Sequence, residues 1–285
     1  EGGIARSFIN LPAVSSADVF FNQGINVEGG NLLLGSGELD GDGIPPDFFT
    51  DEHVRKAFNY CFDFDTFIEE AWLGEAIQRR GPIIAGHIGY TPDSEVFSYD
   101  LAKCEEEFKL AWDGAVWDTG FFLVSTYNSG NDQRRTAAEI IEANVESIND
   151  KFSITVANLP WPTYLDEMVD GRLPFFIIGW IEDYHHPHNW VIPYMSSSGT
   201  WAQFQNLPQE QYDRYDAKIA ECLVMPFEDA APCYEELQAM SIEDVLDIFM
   251  TQATGRVYQQ LWVKGFYQNP IYPSPMWVYR YSKEM

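Results

Sequence analysis

The passage that most limits how this chain can fold runs from Phe175 to Trp190. It opens with an uninterrupted apolar run, Phe175-Phe176-Ile177-Ile178. Within a few residues it turns polar, through Glu182, Asp183 and the histidines at 185, 186 and 188, with aromatics on either side. An apolar run without alternation is the pattern of a strand covered on both faces, as in a parallel sheet. In open α/β sheets the ligand crevice lies beyond the carboxyl ends of the strands. The segment Trp180 to Trp190 is therefore where a site is expected.

The neighbouring sequence supports such a sheet. Thr119 to Tyr127 reads as a strand and Asn128 to Asp132 as a turn-rich loop. Gln133 to Ile148 has a helical apolar face through Ala137, Ile140, Ile141, Asn144 and Val145. Phe152 to Asn158 alternates like a strand, Pro162 to Val169 reads as a short helix, and Pro174 to Trp180 is the next strand. This β-α-β-α-β order predicts an α/β fold with a parallel three-stranded core and right-handed crossovers. Parallel strands would bring Tyr127-Asn128, Asn158 and Trp180 to Asp183 to one rim.

Upstream, Asp18 to Asn22 reads as a strand. Thr50-Asp51-Glu52 opens a helix with Val54, Phe58 and Phe62 on one face, Thr66 to Leu73 forms a second helix, and Asp100 caps a third. Downstream, helices are expected at Gln209 to Leu223 and Ile242 to Thr251, and strands at Leu261 to Gly265 and Met276 to Tyr281. The best internal boundary is near Thr254, where the pattern becomes extended.

Composition narrows the function. Over 285 residues, 46% apolar and 15% aromatic content excludes a disordered chain. The apolar runs are too short to cross a bilayer. A net charge of −27 repels phosphate backbones, so nucleic acid is not an expected partner. Of the four cysteines none forms a CxxC; Cys222 and Cys233 flank a short Pro-containing segment and are a candidate disulfide pair. Residues Glu1 to Ile4 have neither the basic nor the apolar region of a signal peptide, so the expectation is a processed chain or a piece of a longer one.

The candidate chemistry centres on Asp183. A carboxylate at the end of a buried strand, walled by Trp180, Tyr184 and Trp190, suits a cationic group such as an α-ammonium; the other reading is a loop Asp that caps a turn. Glu182 and Asp183 are adjacent, so on an extended segment they point to opposite faces and are poorly placed as a glycosidase pair. The histidines and Asp183 offer metal ligands, but no ligand spacing such as HExxH is present, and no metal or cofactor is assigned. Nucleophile elbows and phosphate loops are absent as well. Arg134 and Arg135 open the long helix at its positive end, where pairing with carboxylates is expected, Glu139 being the candidate for Arg135; anion binding is the other reading.

Several segments resemble the family 5 extracellular solute-binding proteins, the oligopeptide, dipeptide and nickel binders that serve ABC importers. They are Val54 to Tyr60 with Asp63-Phe64-Asp65, Tyr99 to Lys103, Arg135 to Ile148 followed by Phe152 to Val156, and Gly179-Trp180-Ile181-Glu182-Asp183-Tyr184-His185-His186-Pro187. The last is similar to the family's Trp-x-x-Asp-Tyr-x-x-Pro segment. The tail, with Gly265 and Asn269-Pro270, is also similar.

The resemblance implies a type II periplasmic-binding-protein lobe that closes on a ligand without catalysis. It implies that Asp183 takes a peptide's N-terminal ammonium, with Trp180 and Tyr184 near side-chain pockets. Asn128 on the rim, Trp190 in the wall and His185 complete the expected ligand-binding residues. Family members are commonly about twice this length. The expectation is therefore a C-terminal fragment with 21–252 as the second lobe, and 1–20 and 253–285 returning to an N-terminal lobe that is missing here. Peptide ligands, permease subunits and a periplasmic or cell-surface lipoprotein location follow. His185-His186 depart from the family's pattern and leave an oligosaccharide or nickel ligand open, with a secreted hydrolase as the reading from another class.

Overall fold

The computed structural model describes residues 4–269 and 278–284. In chain order the elements are β1 (Ala5–Phe21), α1 (Glu52–Cys61), α2 (Phe64–Trp72), β2 (Ala76–Gln78), α3 (Leu101–Leu110), α4 (Ala115–Thr119), β3 (Phe121–Asn128), α5 (Asp132–Ile148), β4 (Phe152–Leu159), α6 (Trp161–Val169) and β5 (Phe175–Ile178). There follow α7 (His188–Met195), α8 (Ala202–Gln205), α9 (Gln209–Leu223), α10 (Ala231–Glu243), β6 (Asp247–Gln260), β7 (Val263–Lys264) and β8 (Ser282–Lys283). The mixed α/β class expected from the sequence is the one found.

Two hydrophobic clusters sandwich a four-stranded sheet of order β2-β6-β1-β5. Val19, Phe21, Phe175, Ile177, Ile248 and Met250 face the first cluster, which is completed by α1, α2, α3, α5 and the β3-β4 pair. Phe20, Phe176, Ile178 and Phe249 face the second, built by α6, α7, α9 and α10. Burial on both faces is why β5 carries no polar alternation.

The three-stranded parallel unit needs correction. β3 and β4 pair in parallel over their full length, from Phe121 opposite Phe152 to Asn128 opposite Leu159. β5 instead pairs antiparallel with β1, Phe20 opposite Phe176 and Phe21 opposite Phe175. The Phe20 and Phe176 rings stack at 5.0 Å, a cross-strand contact of the kind that holds sheet register. An apolar run reports two-sided burial and is silent about strand direction.

Three further expectations change. The strand expected at Asp18 to Asn22 is the end of a 17-residue strand, β1, which pairs with β6 from Ala5 opposite Gln260 to Phe20 opposite Asp247. The helix expected at Ile242 to Thr251 is the end of α10 and the start of β6, because Ile248, Phe249 and Met250 alternate between the two clusters. At the tail, Met276 and Trp277 lie outside the described residues, and Val278–Arg280 is a short 3-10 turn.

Two disulfides cross-link the helices. Cys61 of α1 joins Cys104 of α3, and Cys222 of α9 joins Cys233 of α10.

Candidate ligand-binding site

A cavity of about 220 Å³ opens at the carboxyl ends of β3 and β5. Ser15 on β1, Trp72 at the end of α2, Asn131 and Arg134 at the start of α5, and Gly179 and Ile181 after β5 are among its lining residues. Asn131 caps α5, its side chain accepting from the Arg134 N–H at 3.0 Å. The positive end of a helix dipole therefore meets the cavity.

The loop after β5 is held against β1. Ser16 N–H donates to the Trp180 carbonyl at 2.9 Å, and Trp180 N–H to Ser16 Oγ at 3.1 Å. Gly179 permits this approach, since a Cβ there would run into the Ser16 carbonyl oxygen. The indole N–H of Trp180 donates to Asn189 Oδ1 at 3.1 Å, and its ring meets Trp201 edge-on at 5.9 Å.

Glu182 and Asp183 do point in opposite directions. Asp183 is exposed; its N–H donates to Asn189 Oδ1 at 2.9 Å, and Asn189 Nδ2 approaches its carboxylate at 3.4 Å. Tyr184 is also exposed, its hydroxyl 2.7 Å from His188 Nδ1. Trp190 does not wall Asp183. It is fully buried in the second cluster, with its indole N–H donating to Glu182 Oε2 at 3.0 Å, because α7 turns it inward after Pro187.

Glu182 is the residue that sequence reasoning underrated. It is buried, and His87 Nε2 and His185 Nδ1 lie 2.7 Å and 3.0 Å from its two oxygens. Burial pushes its carboxyl up, but hydrogen bonds from His87, Trp190 and His185 outweigh that and hold it below the ordinary carboxylate range. His87 lies 95 residues away in the chain, so no local spacing announces the contact. His185 is thus turned toward Glu182, and its side chain keeps 30% exposure.

Asn128 lies at the end of β3, where its Oδ1 accepts from Arg134 Nη1 at 2.7 Å. The guanidinium of Arg134 lies 5.7 Å from the Trp161 ring centre, and desolvation lowers its pKa. Arg135 meets Asp132 and Glu139 as helix spacing predicts, whereas Arg134 has no carboxylate within ion-pair distance among the described residues. The cavity is thus lined by a guanidinium, that of Arg134, with no ion-pair partner among the described residues.

The family model for the middle region of bacterial extracellular solute-binding proteins, family 5, matches residues 16–202. The chain belongs to that family. It is 24% identical over 224 residues to the heme-binding protein A of Haemophilus influenzae, covering 78% of this chain and 40% of that protein. It is 22% identical to the dipeptide-binding protein of Escherichia coli, covering 78% and 41%. Among solved structures, HbpA2 from Haemophilus parasuis matches with a TM-score of 0.76 at 17% identity, over 99% of this chain and 50% of that one. The periplasmic binding protein DppA from Helicobacter pylori, in complex with the peptide STSA, matches at 0.73 and 18%, over 99% and 49%. The fold is that of type II periplasmic binding proteins, and this chain spans about half the length of those structures.

Proposed function

We propose that this chain is the second-lobe portion of an importer's solute-binding subunit that captures oligopeptides between two lobes, without turnover. The observation that carries the reading is the charge pattern of the rim. Arg134, a cation without an ion-pair partner among the described residues, lines the cavity at a helix N-terminus. The exposed carboxylate of Asp183 stands two residues beyond the cavity-lining Ile181. A zwitterionic ligand offers one group to each, and desolvation on closure would strengthen both pairings. Trp180 and Tyr184 beside them suit side chains of varied shape, and a peptide backbone would bind as an added strand.

The long β1-β6 ribbon supports the division into lobes. Its inner half is buried in the sheet, while its outer half, with Ile9 and Tyr258 exposed, extends past the two clusters. In this reading the outer parts of 1–20 and 253–285 lead to a first lobe, while the inner end of β1, with Val19 and Phe20 in the two clusters, packs with 21–252 in the second. Permease subunits are the protein partners. The two disulfides fit an oxidising, extracytoplasmic compartment, and no helix among the described residues is long and apolar enough to cross a membrane.

Calorimetric titration of the full-length protein with a mixed pool of tri- to pentapeptides, free and N-acetylated, tests the reading. Binding that is lost on acetylation and in Asp183→Asn is expected. Binding of neither pool would sink the peptide assignment in favour of a neutral oligosaccharide or a metal complex, and turnover of the pool would sink the non-catalytic reading.

A further inference from the structure

Beneath the rim, and not needed for peptide capture, two imidazoles converge on one buried carboxylate. His87 comes from the turn segment 81–90 after β2, and Glu182 and His185 from the loop after β5. One ligating atom from each lies within 4.8 Å of the others, and it is the one such grouping found among the described residues. The His87 and His185 rings have centres 4.1 Å apart and planes tilted by 39°. The side chains of His87 and Glu182 are each 1% exposed, while that of His185 is 30% exposed.

We propose that His87, Glu182 and His185 bind one divalent transition-metal ion of the zinc class, pinning the loop that carries Asp183 and Tyr184 to the 81–90 turn. Two imidazoles and a carboxylate are a donor set that zinc and its neighbours accept, whereas magnesium and calcium prefer all-oxygen sites. Two neutral imidazoles and one carboxylate carry a single negative charge, which a divalent ion more than offsets beside two side chains that are shut off from solvent. The spacing also fits. Ligands at about 2.1 Å from a tetrahedral ion stand roughly 3.4 Å apart, so His87 Nε2, now 2.7 Å from Oε2, and His185 Nδ1, now 3.0 Å from Oε1, need draw back from the carboxylate by about 0.7 Å and about 0.4 Å. Trp190 Nε1 donates to Glu182 Oε2 at 3.0 Å, the kind of outer hydrogen bond that orients a ligand. Three protein ligands leave a fourth position, and the partial exposure of His185 places it on the solvent side.

The proposal stands apart from the peptide reading, because its test uses zinc alone. Metal-stripped full-length protein is titrated with zinc chloride by calorimetry, and with cobalt(II) by visible absorption, which reports tetrahedral nitrogen-oxygen coordination. One equivalent per chain and a rise in Tm with zinc are expected. His185→Ala removes a ligand that is not part of the sealed core, so it should fold as the parent does while binding zinc at least about 100-fold more weakly, more than loss of an outer partner costs. Glu182→Gln should behave alike. His53 forms a lone imidazole-carboxylate pair with Glu107 at 2.7 Å, and His53→Ala should leave the stoichiometry at one. Absence of saturable zinc uptake by the parent overturns the proposal, as does unchanged affinity in a folded His185→Ala.

Discussion

The hydroxyl of Tyr164 satisfies both backbone groups of Ile177 at once, accepting from its N–H at 2.8 Å and donating to its carbonyl at 3.0 Å. Both groups belong to the edge of β5 turned away from β1, where a further strand would otherwise pair. One side chain of α6 thus takes the place of a ladder and helps keep β5 out of the β3-β4 pair. Burial pushes the Tyr164 phenol up to about 12, so it remains a donor at neutral pH. Tyr164→Phe strands a buried donor and a buried acceptor, and a loss of about 2–3 kcal/mol in urea unfolding is expected. A loss below half a kcal/mol would show that the hydroxyl is not what satisfies this edge.

Arg79 and Asp18 form an ion pair with both side chains wholly out of solvent. Tyr194 donates to the same carboxylate at 2.7 Å, the Met250 N–H reaches it at 3.2 Å, and Arg79 lies about 5 Å from the rings of Trp190, Tyr194 and Phe249. Removing one partner of such a pair leaves a buried charge uncompensated. Arg79→Met should therefore cost about 3–5 kcal/mol, and Arg79→Lys should also destabilise because an ammonium cannot reproduce the fork. Equal stability of Arg79→Lys and the parent would contradict this account.

Asp247 sets a pH dependence. It is buried opposite Phe20, with no hydrogen bond of normal geometry to either oxygen among the described residues. Burial, helped by the charge of Asp18, pushes its carboxyl well above the ordinary range. The folded state therefore holds a proton that the unfolded chain releases above pH about 4, and this group's contribution to stability falls as pH rises from there toward its folded pKa. Asp247→Asn should remove that decline, stabilising the protein at pH 7–8 and having little effect near pH 4. Unfolding curves across that range decide it; a difference that does not grow with pH counts against the assignment.

Gly179 sits where the loop after β5 touches β1. Gly179→Ala drives a methyl group into the Ser16 carbonyl and should break the Ser16–Trp180 hydrogen bonds that shape the cavity wall. About 1–3 kcal/mol of destabilisation is expected, together with weaker ligand binding by the full-length protein. Unchanged affinity and Tm would place the loop contact outside the site's support.

The disulfides should differ in weight. Cys61–Cys104 spans 43 residues and Cys222–Cys233 spans 11. Loop-closure entropy predicts losses of about 4 and about 3 kcal/mol when each pair is replaced by alanines. Thermal unfolding of the two double variants gives the order; the reverse order would mean that native packing, not chain entropy, dominates.

Local pattern was enough to read the helices α1, α3, α5 and α9, the strands β3 and β4, and the opposed faces of Glu182 and Asp183. Each rests on a pattern within a few residues: a cap or a 3.6-residue period for a helix, a short apolar or alternating run for a strand. The two-sided burial of Phe175 to Ile178 was legible for the same reason. What only the tertiary structure decided are relations between distant segments. β5 lies antiparallel to β1 because Phe20 and Phe21 meet Phe176 and Phe175 across the ladder while Tyr164 occupies its other edge. His87 reaches Glu182 across 95 residues, and Arg79 reaches Asp18 across 61. Periodicity records which side of an element is buried; the partner buried against it is chosen by packing, which no local window contains.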